Sequence, residues 1–265
     1  MKTKQIIQRL FSIALLSSML TACNKKDTNY EKAIHVLVTG YNGSEGVLQA
    51  AIDTTALDKE VAYGKYLTKA NSILELNFTH SFLSGSKNQT LTLTDTTTNK
   101  VVFSKPLPEA GTKAFFNFVL IDGKELPLNP PAADASTNKI GFYIHTPGQD
   151  AAVDIIFYRK DANSETEYRE YLARNVQPNK WVFVNYVSAA GFDQRDLLNV
   201  SKILFTKTGT TDQWAFNDDA NLSKMDAGGM SLPLAGEKGL VLPYFIVPGE
   251  QLGRVRMFFS PDRLW

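Results

Sequence analysis

Hydrophobic and polar residues alternate along most of the chain after residue 33, which is the pattern of half-buried β-strands. In one segment Leu74, Leu76 and Phe78 share a face, and Glu75 and Asn77 lie opposite. The same pattern predicts strands over residues 34–38, 74–82, 89–95, 101–103, 115–120, 140–144, 153–158, 181–187, 203–206, 240–247 and 255–259. Turn-forming clusters separate these segments. The chain is therefore predicted to be all-β, with two tandem antiparallel β-sandwich domains.

Helical patterns are scarce in this sequence. Residues 165–174 and 193–198 each predict a turn or two of helix. Residues 126–137 contain three prolines, which cannot donate a backbone hydrogen bond at those positions. We therefore expect a semi-rigid linker there, between a first domain at 33–125 and a second at 138–265.

The first 22 residues have the three parts of a secretory signal peptide: a basic start, an apolar run and small residues before the cleavage point. The apolar run, residues 10–20, is shorter than the roughly 20 residues that span a bilayer. We therefore predict a signal peptide at residues 1–22 that is removed from the mature protein.

The signal peptide ends in Leu20-Thr21-Ala22-Cys23, which resembles the lipobox of bacterial lipoproteins. The resemblance implies cleavage before Cys23 and acylation of its thiol and its new amine. The alternative is a chance cysteine after an ordinary signal, but Cys23 is the only cysteine in the chain. Two or three acyl chains form an anchor that hardly leaves the membrane. Residues 23–32 are then a lipidated, flexible tether.

The tether also carries Lys25-Lys26-Asp27, which resembles the surface-export signals of Bacteroidota lipoproteins. This resemblance implies residence in the cell envelope, at the outer membrane. Both orientations, periplasmic and exposed at the cell surface, are open at this point.

Composition narrows the choice of partners. The chain has 28 Lys and Arg against 27 Asp and Glu, so it lacks the basic excess of a nucleic-acid-binding protein. Its hydrophobic fraction of 43% supports folded cores rather than disorder. With one cysteine, a disulfide framework is excluded. The partners we expect are the membrane, through the lipid anchor, and a glycan or an envelope protein.

A weak internal repeat supports the tandem arrangement. Residues 47–53 and 152–158 have similar patterns, and each precedes a polar loop and further hydrophobic segments. Together with residues 91–95 and 114–119, they resemble a family of extracellular Ig-like β-modules of unknown function in lipoproteins of Bacteroidota and other bacteria. The resemblance implies two Ig-like sandwiches. The family has no established catalytic residues, so it assigns none here.

Catalytic patterns are missing from the sequence. His35, His80 and His145 are too scattered to predict a metal centre. Neither a serine nucleophile elbow nor a glycine-rich phosphate loop is present. We therefore predict a protein that is not an enzyme and that needs no cofactor.

The loop at residues 211–223 carries the most polar chemistry. Asp219, Asn221 and Ser223 alternate as the oxygen donors of calcium loops do. Lys224 occupies the position of the usual sharp glycine turn, and Met230 stands where a closing acid belongs. A solvated acidic loop is therefore favoured over a metal site.

Three aromatic residues are candidate ligand contacts. Trp214 lies in the same polar loop, where an indole either stacks on a sugar face or plugs an open end of the sandwich; we favour the plug. Tyr168 and Tyr171 flank Arg169 and Glu170 in a charged stretch. Such tyrosines make contacts in antibody loops, and they are also common on any β-sandwich.

Three functions remain at this stage. The first is a non-catalytic envelope lipoprotein that acts as a binding or spacer module. The second is a glycan-binding accessory lipoprotein of a polysaccharide-uptake system, because the layout resembles that of starch-utilisation lipoproteins. The third is an adhesin or fimbria-like component that assembles by strand addition, with the C-terminal strand at residues 254–259 as the candidate edge.

Overall fold

A computed structural model describes residues 30–57, 60–61, 64–83, 85–86, 89–248 and 254–257. The predicted signal peptide, Cys23 and most of the tether lie outside these residues. Within them almost all regular elements are β-strands, as the alternating pattern predicts. No helix in these ranges is long and apolar enough to cross a membrane.

The elements fall into two successive groups. The first comprises β1 (Glu31–Gly43), β2 (Leu48–Ile52), β3 (Thr55–Ala56), β4 (Glu60–Val61), β5 (Gly64–Lys65), β6 (Leu67–Thr68), β7 (Ser72–Leu83), β8 (Thr90–Asp95), β9 (Lys100–Pro106), β10 (Lys113–Ile121) and β11 (Lys124–Glu125). The second comprises β12 (Asn138–Ile144), β13 (Val153–Lys160), β14 (Glu167–Val176), β15 (Val182–Tyr186), α1 (Arg195–Asn199), β16 (Lys202–Lys207), β17 (Lys224–Asp226), a 3₁₀ turn (Gly228–Met230), β18 (Val241–Val247) and β19 (Arg254–Met257).

The first group forms a sandwich around one hydrophobic core. One sheet has the strand order β11-β10-β1-β7, and the other has the order β3-β2-β8-β9, with β6 also paired to β2. Ile34, Val36 and Val38 of β1 and Leu91 and Leu93 of β8 all enter this core. These core residues occupy every second position of their strands, because successive side chains of a strand point to opposite faces of the sheet.

The second group forms a sandwich of the same kind. Its sheets have the orders β15-β12-β18-β19 and β14-β13-β16-β17. Ile140 and Phe142 of β12 meet Ile155 and Phe157 of β13 in a separate core, and all four side chains are completely buried. The two-sandwich architecture agrees with the predicted fold class.

The two sandwiches repeat one topology. The first strand of each, β1 or β12, pairs in parallel with the last long strand, β10 or β18, and antiparallel with β7 or β15. The weak sequence repeat fits this correspondence, because residues 47–53 contain β2 and residues 152–158 overlap β13. These two strands occupy the same place in the strand order of their sheets. The prediction of antiparallel sheets was therefore incomplete, since the described strands of each sandwich include a parallel pair.

The helix predicted at residues 165–174 was wrong, because residues 167–174 lie in strand β14. A bulge explains the error. Ala173 pairs with Ile155 and Tyr171 pairs with Ile156, so Leu172 is an extra residue on its strand. Leu172 and Ala173 are consequently both buried, which breaks the alternation and leaves a spacing that looks helical. The other helical prediction, at residues 193–198, is confirmed by α1.

The predicted linker carries no regular strand or helix. Two of its leucines, Leu126 and Leu128, nevertheless pack against a third hydrophobic cluster that lies between the two sandwich cores. The predicted domain boundaries remain a prediction, but this cluster shows that the described parts of the two sandwiches are in contact.

Candidate functional site

The contact between the sandwiches is a compact apolar cluster, which we call the junction. Tyr41 and Val119 of the first sandwich pack there with Tyr143 and Phe245 of the second. Val119 is completely buried and Phe245 is 1% exposed. The partly buried residues around these four are Ile73, Ile121, Leu126, Leu128, Trp181 and Val247.

Several aromatic rings pack against one another in the junction. The ring of Phe245 lies 5.5 Å from that of Tyr41, 5.4 Å from that of Tyr143 and 5.9 Å from that of His145, measured between centroids. Tyr143 also meets Trp181 edge-on at 5.5 Å. Such pairs stabilise by about 0.5–1.5 kcal/mol beyond the area they bury.

The junction explains why β12 and β18 are buried on both faces. Phe142 and Tyr244 point into the core of the second sandwich, whereas Tyr143 and Phe245 point outward into the junction. A strand that is covered on both sides reads as a continuous hydrophobic run. Both strands have this character in the sequence.

A cleft of about 230 Å³ opens beside the junction. It is formed by residues that are distant in sequence and come from both sandwiches. They are Tyr41, Asn71, His145, Thr146, Pro147, Gln149, Phe216, Asn217, Leu222, Val247 and Pro248. No Asp, Glu, Lys or Arg is among these lining residues.

Local hydrogen bonds position the polar wall of the cleft. The Nε2 of Gln149 donates to the Oδ1 of Asn217 at 2.9 Å, which ties two loops of the second sandwich together. The backbone N–H of Thr146 donates to Asn179, and the hydroxyl of Thr146 donates to the carbonyl of Gln149. Asn71 and Asn217 have φ angles of 49° and 53°, a conformation that asparagine tolerates better than most residues.

His145 is the titratable group of greatest interest in the cleft. It is 9% exposed, and its Nδ1 has no hydrogen-bond partner among the described residues. Burial lowers the pKa of His145 below its ordinary value, against smaller raising effects from Asn179 and the charge of Asp122. The neutral imidazole is therefore the form that the fold favours.

We expect the protein to lose stability as the pH falls below about 6.5, the ordinary pKa of histidine. In that range the unfolded chain takes up a proton at residue 145 while the folded chain, with its lowered pKa, does not. The stabilisation that His145 provides is complete above its pKa in the unfolded chain. It is lost as the pH falls through its lower pKa in the folded chain. Urea unfolding from about pH 8 to about pH 5 measures this, with His145→Gln as the control. Parallel pH curves for the two proteins would contradict the prediction.

Trp214 does not line the cleft, although Phe216, Asn217 and Leu222 of the same loop do. It is half-buried and forms a β-bridge with Thr206. The Nζ of Lys224 lies over its ring, 4.4 Å from the centroid, so an ammonium group covers one face of the indole. Stacking on a sugar would need the opposite face.

Tyr168 and Tyr171 lie on β14 and are not among the residues that line the cleft. The guanidinium of Arg159 lies 4.2 Å from the ring of Tyr168, and that of Arg174 lies 3.3 Å from the ring of Tyr171. Tyr168 also packs against the core of the second sandwich. Their role as ligand contacts remains a prediction.

Two of the three oxygen donors of the calcium-like pattern are engaged within their own loop. Asp219 accepts from the backbone N–H of Asn221 at 2.7 Å, and the completely buried hydroxyl of Ser223 accepts from the N–H of Phe216 at 3.0 Å. In the ranges that the structure covers, no group of three His, Cys, Asp or Glu side chains is placed to hold a metal ion.

A buried carboxylate, Asp154, holds the base of this loop. It is 1% exposed and accepts from the backbone N–H of Asn175 at 2.8 Å and of Gly209 at 2.9 Å. The alternation of β13 would place Asp154 on a solvent face, so sequence reasoning missed this role. Sequence reasoning also missed the residues of the cleft. The one hint in the sequence is that His145 and Tyr143 share the face of their segment opposite to its apolar face.

No known protein family matches this chain, and no curated protein matches it. Solved structures with some similarity include a proposed cell adhesion protein from Bacteroides uniformis ATCC 8492, which is 12% identical, covers 84% of this chain and 96% of its own, and has a TM-score of 0.30. The Bacillus anthracis TIE protein is 8% identical over 82% of this chain and 34% of its own, with a TM-score of 0.18.

Proposed function

We propose that this protein is a non-catalytic lipoprotein of the cell envelope, held at the outer membrane by acyl chains on Cys23. Its two sandwiches act together as a binding or spacer module. The observation that carries this proposal is the junction, in which four buried side chains from both sandwiches form one apolar cluster.

An apolar junction suits a module of this kind. Contacts between domains of one chain are usually more polar, and relative motion of the domains is then the default. Here bending would expose Phe245 and Val119, and this loss of apolar burial opposes the motion. A module that keeps its shape holds a binding surface at a fixed distance from the membrane.

Lipidation of Cys23 is the test of the anchor. In a bacterial host fed an alkyne-tagged fatty acid, we expect the protein to take up the label and to fractionate with membranes. The Cys23→Ser variant should be unlabelled and released from the membrane fraction. Mass spectrometry that finds a free thiol on the mature wild-type protein would overturn the proposal. For the lipidated protein, protease treatment of intact cells reports whether it faces the periplasm or the cell surface.

Strand addition between chains is the second candidate function. It is favoured by β19, which among the described strands lies at the outer end of its sheet and pairs with β18 on one side. An edge strand offers backbone donors and acceptors to another chain. We expect such a protein to form higher assemblies as its concentration rises, and a strictly monomeric mass in light scattering would contradict this candidate.

A further inference from the structure

We propose that the cleft beside the junction binds one ring of a neutral saccharide. This names a ligand class for the binding role proposed above and rests on that role, whereas a pure spacer would not need it. The site differs from Trp214, to which the sequence pattern points.

The charge of the cleft selects a neutral ligand. Charged residues make up 21% of the chain, yet no Asp, Glu, Lys or Arg lines the cleft. A charged ligand would give up its hydration without meeting an opposite charge, which is costly. A neutral ligand avoids this cost.

The polar groups of the cleft suit hydroxyls. The Nδ1 of His145 is buried without a described partner, and buried polar atoms are nearly always hydrogen-bonded. The amides of Asn71, Gln149 and Asn217 each provide both donors and acceptors. A hydroxyl also donates and accepts, so neighbouring hydroxyls on a sugar ring satisfy such a mixed set.

The remaining wall of the cleft is apolar. Tyr41 and Phe216 contribute aromatic rings, and Leu222 and Val247 contribute aliphatic groups. A pyranose ring has a C–H face that packs on such surfaces while its hydroxyls point to the polar side. Small-molecule sites combine apolar walls and a few placed polar groups in the same way.

The volume of the cleft suits a single ring. At roughly 30 Å³ for each water molecule in the liquid, 230 Å³ holds about seven or eight waters. Drug-sized ligands occupy pockets of about 300–1,000 Å³, so this cleft takes a smaller molecule. A ligand with so few atoms binds weakly, and we expect a dissociation constant in the millimolar range.

Titration of the mature, isotope-labelled chain by NMR tests the proposal. The probes are the methyl glycosides of glucose, galactose, mannose and N-acetylglucosamine, with N-acetyltryptophanamide as a probe for an aromatic peptide side chain. We expect at least one glycoside to shift the amide signals of His145, Gln149 and Asn217. Shifts centred on Trp214, binding of N-acetyltryptophanamide alone, or no shift with any probe would overturn the proposal.

A matched pair of variants locates the binding. Asn217 and Asn99 both have positive φ angles, 53° and 54°, which glycine accepts without strain. Asn217→Gly removes an amide from the cleft, and we expect glycoside binding to weaken about tenfold or more. Asn99→Gly, in the turn between β8 and β9, should bind as the wild type does. Equal binding by the two variants would overturn the assignment.

Thermal unfolding of both variants shows whether the fold is kept. A loss of binding supports the assignment when the unfolding midpoint of the variant equals that of the wild type. Should Asn217→Gly unfold early, Gln149→Ala provides the second removal of an amide from the same wall. A failure of every glycoside to bind, together with normal lipidation of Cys23, would remove this inference and leave the spacer role in place.

Discussion

Replacing Phe245 by alanine is expected to destabilise the protein by about 3–5 kcal/mol and to loosen the connection between the two sandwiches. The side chain is 1% exposed and contacts the rings of Tyr41, Tyr143 and His145. Its removal leaves a cavity at the centre of the junction. Urea unfolding measures the loss of stability, and small-angle X-ray scattering measures the larger radius of gyration that freer movement would give.

Phe157→Ala is the matched control for this variant. Phe157 is completely buried inside the second core, where its ring stacks on Phe192 at 4.9 Å. We expect a similar loss of stability from this change but an unchanged scattering curve for the folded protein. If Phe245→Ala also leaves the scattering curve unchanged, the junction does not fix the arrangement of the sandwiches.

The variant Gly40→Ala is expected to lose about 3 kcal/mol of stability because it pushes two paired strands apart. Gly40 lies opposite Phe118 in the parallel pair of β1 and β10. A Cβ at this position would lie 1.6 Å from the carbonyl oxygen of Phe118 and 2.5 Å from its carbonyl carbon. These are backbone atoms, so no rotation of a side chain relieves the contact.

Gly229→Ala serves as the comparison for Gly40→Ala. An added Cβ at Gly229 has no heavy atom within 4 Å, so we expect little change in the denaturation midpoint. Similar midpoints for the two variants would show that β1 tolerates a side chain at this position and would contradict the close pairing with β10.

Much of the fold could be predicted from sequence because strand alternation is a local property. Ile34, Val36 and Val38 repeat at every second position, and the structure places all three in one core. The exception is β14, where the bulge at Leu172 shifts the pattern by one residue. Which strands pair in parallel could not be predicted, because β1 and β10 are distant in sequence and their pairing depends on closure of the whole sandwich.

The candidate site was predicted less well. Polar loops and exposed aromatic residues drew attention to Trp214, Tyr168 and Tyr171, yet in the structure each ring has a cationic side chain over it. The cleft instead joins Tyr41 and His145, which lie in different sandwiches and have no shared motif. A local sequence pattern does not reveal this pair, because the two residues come together only when the two sandwiches pack.

By itself, the sequence determined that this is an all-β chain of repeated strands, and its resemblance to a lipobox predicts an anchor at Cys23, which stays a prediction. Both predictions use only residues that are close in sequence. The first depends on the two-residue period of a strand, and the second depends on the order of residues in a short motif. Only the tertiary structure decided that the outward faces of β12 and β18 meet the first sandwich in an apolar junction, with an uncharged cleft beside it. The physical reason is that burial on a second face depends on what packs there, and that surface comes from a distant part of the chain.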